Sequence, residues 1–233
     1  LAMVDAAIGG KTAIDLKTQA GLVKNVLGSF YPADEVWLTQ DWLQTLSPEE
    51  RKSGVGELLK ILWIAGRKPD LLVLKEWLAG ADCNAKLWRE VRTGIARKEK
   101  IVCQDPHDSL GIREVLNYGH TIGHAIESLG RGHISHGEAI AWGMWAESSL
   151  LARDFSDSIL MLLHFLGFGH PPKFLRKVSL KQWERLLSEN KKMQGKNITM
   201  SVVYSIGKWK RVQKTPAALA RHARMHFAPE YHF

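Results

Sequence analysis

His120 and His124 stand four residues apart, the spacing at which one helix can turn two imidazoles towards a single cation. A third imidazole, His136, follows the Gly130-Arg131-Gly132 turn and precedes the small-residue run Gly137 to Gly143, so a returning chain can bring it beside the first two. If residues 113 to 124 form one helix, Arg113, Asn117, His120 and His124 fall along one stripe, at spacings of four, three and four. A guanidinium, an amide and two imidazoles make a poor core face. They are suited to holding a metal ion beside an anion. No Glu follows His120, so the metalloprotease arrangement is absent.

Glu57 is the natural oxygen donor to complete such a set. It lies in the otherwise apolar segment Val55 to Trp63, where a carboxylate is costly to bury without a cation. The plainer alternative is an exposed Glu57–Lys60 ion pair on a helix face. Three N and O ligands with a position left open describe a catalytic zinc site; a structural site is closed and more often uses Cys. Cations accompany these donors: Lys11 directly after Gly9-Gly10, Lys60 one helical turn beyond Glu57, Arg113 on the His120 stripe, and Lys191-Lys192 ahead of Gly195. Arg and Lys are the usual holders of phosphate and carboxylate, although any one lysine taken alone reads as a solvated surface residue.

The elements that must position these groups are mostly helical. Ser47-Pro48-Glu49-Glu50 is a strong helix start, with a Ser cap, Pro in the first turn and a Glu to close a capping box. That helix carries Gly54 to Ile64 and stops near Gly66. The pattern from Pro69 to Lys100 is helical and ends at Asp105-Pro106. Further helices run from His136 to about Ala152, near Ser156 to Leu166, and from Ser179 to near Lys192. Lys24-Asn25 sits in a short loop, Val36-Trp37-Leu38 is strand-like, and Ile198 to Tyr204 is the one convincing strand.

The chain has 233 residues, 45% of them apolar and 24% charged, with a net charge of +8; this fits a globular body of one or two domains. No run of eighteen apolar residues appears, which argues against a membrane span, and the first residues lack a signal-peptide pattern. Two cysteines, Cys83 and Cys103, are too few for a disulfide framework, so a reducing, cytoplasmic setting is the default. The basic stretches Arg92 to Lys100 and Lys208 to Lys214 read as solvated surface. With Trp209 the single aromatic among them and no known nucleic-acid-binding module, nucleic acid is not an expected partner.

Several of these segments resemble, in order, the 3-dehydroquinate synthases, within the wider sugar-phosphate cyclases. The resemblance rests on Asp5-Ala-Ala-Ile-Gly-Gly-Lys11-Thr, Lys24-Asn25-Val-Leu-Gly, Ser53-Gly-Val-Gly-Glu57-Leu-Leu-Lys60, Leu116-Asn117-Tyr-Gly-His120-Thr-Ile-Gly-His124-Ala-Ile-Glu127, His136-Gly-Glu-Ala and Asn190-Lys191-Lys192. It implies a mainly α, multi-helical C-terminal domain of the dehydroquinate synthase-like fold with one small β element. Residues 1–233 would be a single metal- and substrate-binding domain. Residues 1–46 would face cofactor and phosphate, and 208–233 would be a divergent tail. The chain departs from the family pattern at Gly56, where Ala is usual, at Ile61-Leu62-Trp63, and in a longer Lys24-Asn25 segment.

The same resemblance implies roles. Glu57, His120 and His136 would ligate zinc or cobalt. His124 would join Lys11, Asn25, Asn117 and Lys191 or Lys192 around a substrate phosphate. Arg113 and Lys98 would hold a carboxylate, with Asp5 and Lys60 near hydroxyls. Asp5, Lys11 and Lys24 would face NAD, mostly bound by an N-terminal nucleotide-binding domain missing from this chain. The implied reaction converts the sugar-acid phosphate DAHP to 3-dehydroquinate plus phosphate in aromatic amino-acid biosynthesis, by an enzyme expected to be a homodimer. The alternatives are a cyclase of the deoxy-inosose or aminodehydroquinate type, or an inactive fragment that binds a partner through Trp-rich helices.

Overall fold

The computed structural model describes residues 2–18, 21–189 and 193–228. Its centre is α1 (Pro48–Ile64), started by the capping box: Ser47 Oγ accepts from Glu50 N–H, and Glu50 Oε2 accepts from Ser47 N–H at 2.8 Å. Every residue from Ser53 to Ile64 is buried, so this helix runs through the core with Glu57 in its middle. Around it lie α2 (Leu71–Leu78), α3 (Ala85–Gln104), α4 (His120–Gly130), α5 (His136–Ser148) and α6 (Arg153–Phe165). The helical run expected from Pro69 onward is two helices. Gly80 turns the chain at φ 105°, and Asn84 Oδ1 restarts it by accepting from the N–H groups of Lys86 and Leu87.

The helical class holds, and there is more sheet than one small element. β1 (Lys11–Thr18) and β2 (Gly21–Phe30) form an antiparallel hairpin, and β3 (Met193–Gln194), β4 (Asn197–Ser205) and β5 (Lys208–Lys214) form a second antiparallel sheet. The expected Lys24-Asn25 loop is part of β2. It falls where the register jumps from Leu16–Val23 to Ile14–Leu27, an irregularity that absorbs extra residues without breaking the strand. Val36-Trp37-Leu38 belongs to no strand among the described residues. Residues 208–228 fold onto the body. α7 (Leu180–Ser188) and α8 (Pro216–His226) pack together, with Trp183 stacked on Phe227 and Trp145 against His226.

The expected single helix from 113 to 124 is broken. Arg113–Asn117 is a 3-10 turn, Tyr118 is extended, Gly119 takes a left-handed φ of 79°, and α4 begins at His120. A Cβ at Gly119 would lie 2.8 Å from the Ile140 carbonyl, so both conformation and space require glycine. Helix crossings elsewhere are equally close. A Cβ on Gly56 would stand 2.1 Å from the Gly137 carbonyl, and one on Gly137 would stand 1.8 Å from that of Ser53. The Ser53 hydroxyl also accepts from Gly137 N–H at 3.0 Å. Backbone-to-backbone contact of α1 with α5 thus accounts for glycine at 56 in this chain.

Two predictions follow from this packing. Gly56→Ala must push α1 and α5 apart and should lower stability by about 1–3 kcal/mol, read as a fall in denaturation midpoint; an unchanged midpoint would show that the crossing has slack. The second concerns His226. Burial, followed by His222 and Arg153, lowers its pKa from the ordinary 6.5 to about 3. The native imidazole is therefore neutral while the unfolded one takes a proton below 6.5, so stability falls as pH drops from 6.5 towards 3. The slope should approach about 1.4 kcal/mol per pH unit for this one proton. His226→Gln should flatten the stability curve between pH 6 and 4, and an identical curve would refute the assignment.

Candidate metal centre and substrate cavity

Three helices bring together four side chains of the types that ligate metals. Glu57 comes from the middle of α1, His120 and His124 from the first two turns of α4, and His136 from the start of α5. The candidate ligand nitrogens of the three histidines all lie within 4.8 Å of one another. Glu57 Oε1 is 3.6 Å from His120 Nε2 and 3.4 Å from His136 Nε2. Two donors each about 2.1 Å from a tetrahedral zinc are separated by roughly 3.4 Å, so the separations of Glu57 from His120 and from His136 match those of such a shell. His124 is the exposed member, and its ring centroid lies 5.1 Å from that of His120 and 5.7 Å from that of His136.

The donor set fits a cation on electrostatic grounds as well. Glu57 is fully buried in the middle of a helix stretch whose residues are all buried. Its Oε2 pairs with the ammonium of buried Lys60, while Oε1 faces the imidazoles. A carboxylate in this state is expensive unless positive charge is close. His136 responds to the same field. Burial alone would lower its pKa, but hydrogen bonds and charge from Glu127 and Glu57 outweigh that and lift it to about 9. Glu127 Oε2 lies 3.1 Å from His136 Nδ1 and so fixes the ring with Nε2 turned to Glu57. This orienting role was missed from sequence. Its signal was position, since Glu127 follows His124 by three and His120 by seven on one helix.

Next to the donors is a cavity of about 190 Å³ lined by Asp5, Lys11, Lys60, Lys98, Arg113, Asn117 and His120, with Ala6, Ile8 and Leu116. Four cations and one carboxylate make it an anion site by charge. Each cation is tethered. Lys98 Nζ donates to the Asp5 carbonyl and, at 2.6 Å, to Asp5 Oδ1. Arg113 donates to the carbonyls of Pro106 at 2.9 Å and Gly9 at 3.1 Å, and Lys11 pairs with Asp108. Burial pulls the Lys98 pKa down more than Asp5 raises it. Burial would raise the Asp5 pKa, but Lys60, Lys98 and His136 together hold it at about 2. Asp5 is thus a permanent carboxylate at neutral pH.

Asp105, read from sequence only as a helix breaker, organises the loop that presents Arg113. It is fully buried and accepts from the N–H groups of Ser109, Leu110, Ile112 and Arg113. Burial favours the neutral form, yet these donors hold its pKa below the usual value. Of the other expected site residues, Lys24 and Asn25 have their backbone in β2, and their side chains lie outside the described part. Lys191 and Lys192 lie outside the described residues altogether.

Comparison with known proteins places this arrangement. Residues 54–193 match the family model "3-dehydroquinate synthase C-terminal", and residues 1–53 match "3-dehydroquinate synthase N-terminal". The 3-dehydroquinate synthase of Thermosynechococcus vestitus is 35% identical over 95% of this chain and 61% of its own length. That of Pseudarthrobacter chlorophenolicus is 36% identical over 89% of this chain and 57% of its own length. The chain therefore spans less than two thirds of these relatives. In fold it is similar to a 2-deoxy-scyllo-inosose synthase solved with carbaglucose-6-phosphate, NAD+ and Co2+, with a TM-score of 0.78 and 24% identity over 96% of this chain and 63% of that one. It is also similar to the 2-epi-5-epi-valiolone synthase ValA of Streptomyces hygroscopicus with NAD+ and Zn2+, with a TM-score of 0.78 and 20% identity over 97% of this chain and 63% of that one. With family matches running in order across residues 1–193, the chain belongs to the 3-dehydroquinate synthase family.

Proposed function

We propose that this chain is the metal- and substrate-binding part of a 3-dehydroquinate synthase, which converts DAHP to 3-dehydroquinate and phosphate. One observation carries the reading: the cavity lined by Asp5, Lys11, Lys60, Lys98, Arg113 and Asn117 opens beside a Glu57–His120–His136 donor set of zinc-like spacing. Residues 1–233 act as one unit in this reading, with 1–46 on the cofactor and phosphate side and no site residue in 208–233. Free Cys83 and Cys103 accord with a reducing, cytoplasmic setting. No described helix is long and apolar enough to cross a membrane.

Glu57, His120 and His136 would hold zinc or cobalt, which supplies Lewis-acid polarisation of substrate oxygens, while NAD supplies a reversible hydride acceptor. The chain's own residues bind and orient. Arg113 and Lys98 take the substrate carboxylate. Lys11, Asn117 and exposed His124, with Asn25 and Lys191 or Lys192, surround the phosphate and favour its departure as an anion. Asp5, ionised throughout the neutral range, accepts a hydrogen bond from a substrate hydroxyl rather than a proton, and Lys60 donates to a neighbouring one. Lys24, Lys11 and Asp5 face the nucleotide. A nucleotide-binding portion completing the site accords with the exposed apolar side chains Leu16, Leu27, Phe30, Tyr31, Trp37 and Trp42, all within the stretch that matches the N-terminal family model. Assembly as a homodimer belongs to the same reading and is tested by mass in solution.

Metal analysis tests the donor set. Glu57→Ala and His136→Ala should each lose stoichiometric zinc, whereas His124→Ala should keep it; full zinc in both of the first two variants would remove the site as drawn. For the reaction, the chain should be reconstituted with the N-terminal portion of the Thermosynechococcus vestitus relative and given NAD and DAHP. Release of phosphate and 3-dehydroquinate is expected, with His124→Ala slower by about 10²–10⁴-fold. The carboxylate-binding capacity of Arg113 favours DAHP over a sugar phosphate that has no carboxylate. Turnover of glucose 6-phosphate but not of DAHP would reverse that choice in favour of a deoxy-inosose cyclase, and absence of zinc with no turnover would leave an inactive fragment.

A further inference from the structure

The helix that carries His120 has no cap of its own. Gly119, at its start, offers no side chain and takes a left-handed φ, so the first N–H groups of α4 need acceptors from elsewhere. They find them on a different helix. Glu147, in the last turn of α5 and fully buried, accepts from Gly119 N–H through Oε2 at 2.9 Å and from Ile122 N–H through Oε1 at 2.8 Å. Both oxygens of one carboxylate thus bracket His120, the residue between these two amides that opens the helix. The negative charge also complements the positive end of the α4 dipole.

The contact is reinforced one residue away on each side. The Tyr118 hydroxyl hydrogen-bonds to the Met144 carbonyl and to Ser148 Oγ, and Ser148 in turn donates to the Val203 carbonyl of β4 at 2.8 Å. His120 Nδ1 lies 3.1 Å from the Tyr118 carbonyl, so the imidazole is referred to the same anchored peptide. α5 carries His136 at its opposite end and is already locked to α1 through Gly56, Gly137 and Ser53. The relative placement of His120, His136 and Glu57 therefore depends on how α4 is fixed to α5, and the Glu147 carboxylate is a fixing group alongside the close glycine packing and Tyr118.

We propose that Glu147 is a positioning residue of the metal site: by capping α4 from α5, it sets the direction in which His120 meets the cation held by Glu57 and His136. It touches neither metal nor substrate, and the inference rests on the metal reading given above. The test is titration of the metal-free chain with Co2+, followed by its visible absorption, in the wild-type protein and in Glu147→Gln. The amide keeps the size of the side chain but turns one acceptor into a donor facing a backbone N–H. Cobalt affinity is expected to fall about 10–100-fold, with a changed visible band, while the helical circular dichroism is retained. A Glu147 that merely stabilised the fold would lower the melting midpoint and leave the cobalt band and the affinity of the folded protein unaltered, and that result would overturn the proposal.

Failure of the wild-type chain to bind cobalt would instead remove the metal reading itself, and this inference with it. Should Glu147→Gln fail to fold, amide exchange in the wild-type protein decides. The Gly119 and Ile122 amides are expected to be protected as well as the interior of α4, and exchange at the rate of open loop amides would overturn the proposal.

Discussion

Everything in this structure is arranged around one carboxylate that water cannot reach. Glu57 sits in the middle of a helix whose residues from Ser53 to Ile64 are all buried, where an uncompensated charge would cost several kcal/mol. The fold meets this cost with Lys60 on one oxygen and two imidazoles facing the other. Those partners must come from three helices, so the helices must cross closely, and close crossings require glycine. Gly56, Gly119, Gly137 and Gly143 are thus consequences of the same demand that places the histidines.

The substrate side follows a different logic. Its cations sit around a small cavity, each tied to a carbonyl or carboxylate of the chain. Tethering costs side-chain entropy at folding rather than at binding, so an anion entering the cavity meets groups already in place. Asp105 extends this to the backbone: its four accepted N–H bonds shape the loop from which Arg113 reaches Pro106 and Gly9.

Much of this was legible in the sequence where the signal is local. The capping box at Ser47–Glu50 marked the start of α1, and the His spacing marked one face of α4, because both depend on residues within a few positions of each other. What was not legible depends on distant partners. Nothing in the pattern around Gly119 distinguishes a helix interior from a break, since the break is imposed by the Ile140 carbonyl and Met144 on another helix. The β1–β2 hairpin was hidden because the extra residues at Lys24-Asn25 interrupt the alternation by which strands are read. Residues 216–228 carry no motif, and Trp145 and Trp183, far away in sequence, hold their end in place through His226 and Phe227. Glu127 and Glu147 look like ordinary helix-surface acids until the neighbouring helix is added.

The pairing of Lys60 with Glu57 has one more consequence, for the order of events in the life of the protein. In small zinc modules the cation is the only counter-charge available, so the chain folds when metal arrives and collapses under a chelator. Here Lys60 pairs with the buried carboxylate from within the same helix, and among the described residues the apolar core is built by side chains of all eight helices rather than by the donor set. On the proposed metal reading, folding and loading would then be separate steps, and exchange of the ion would take place on a finished scaffold.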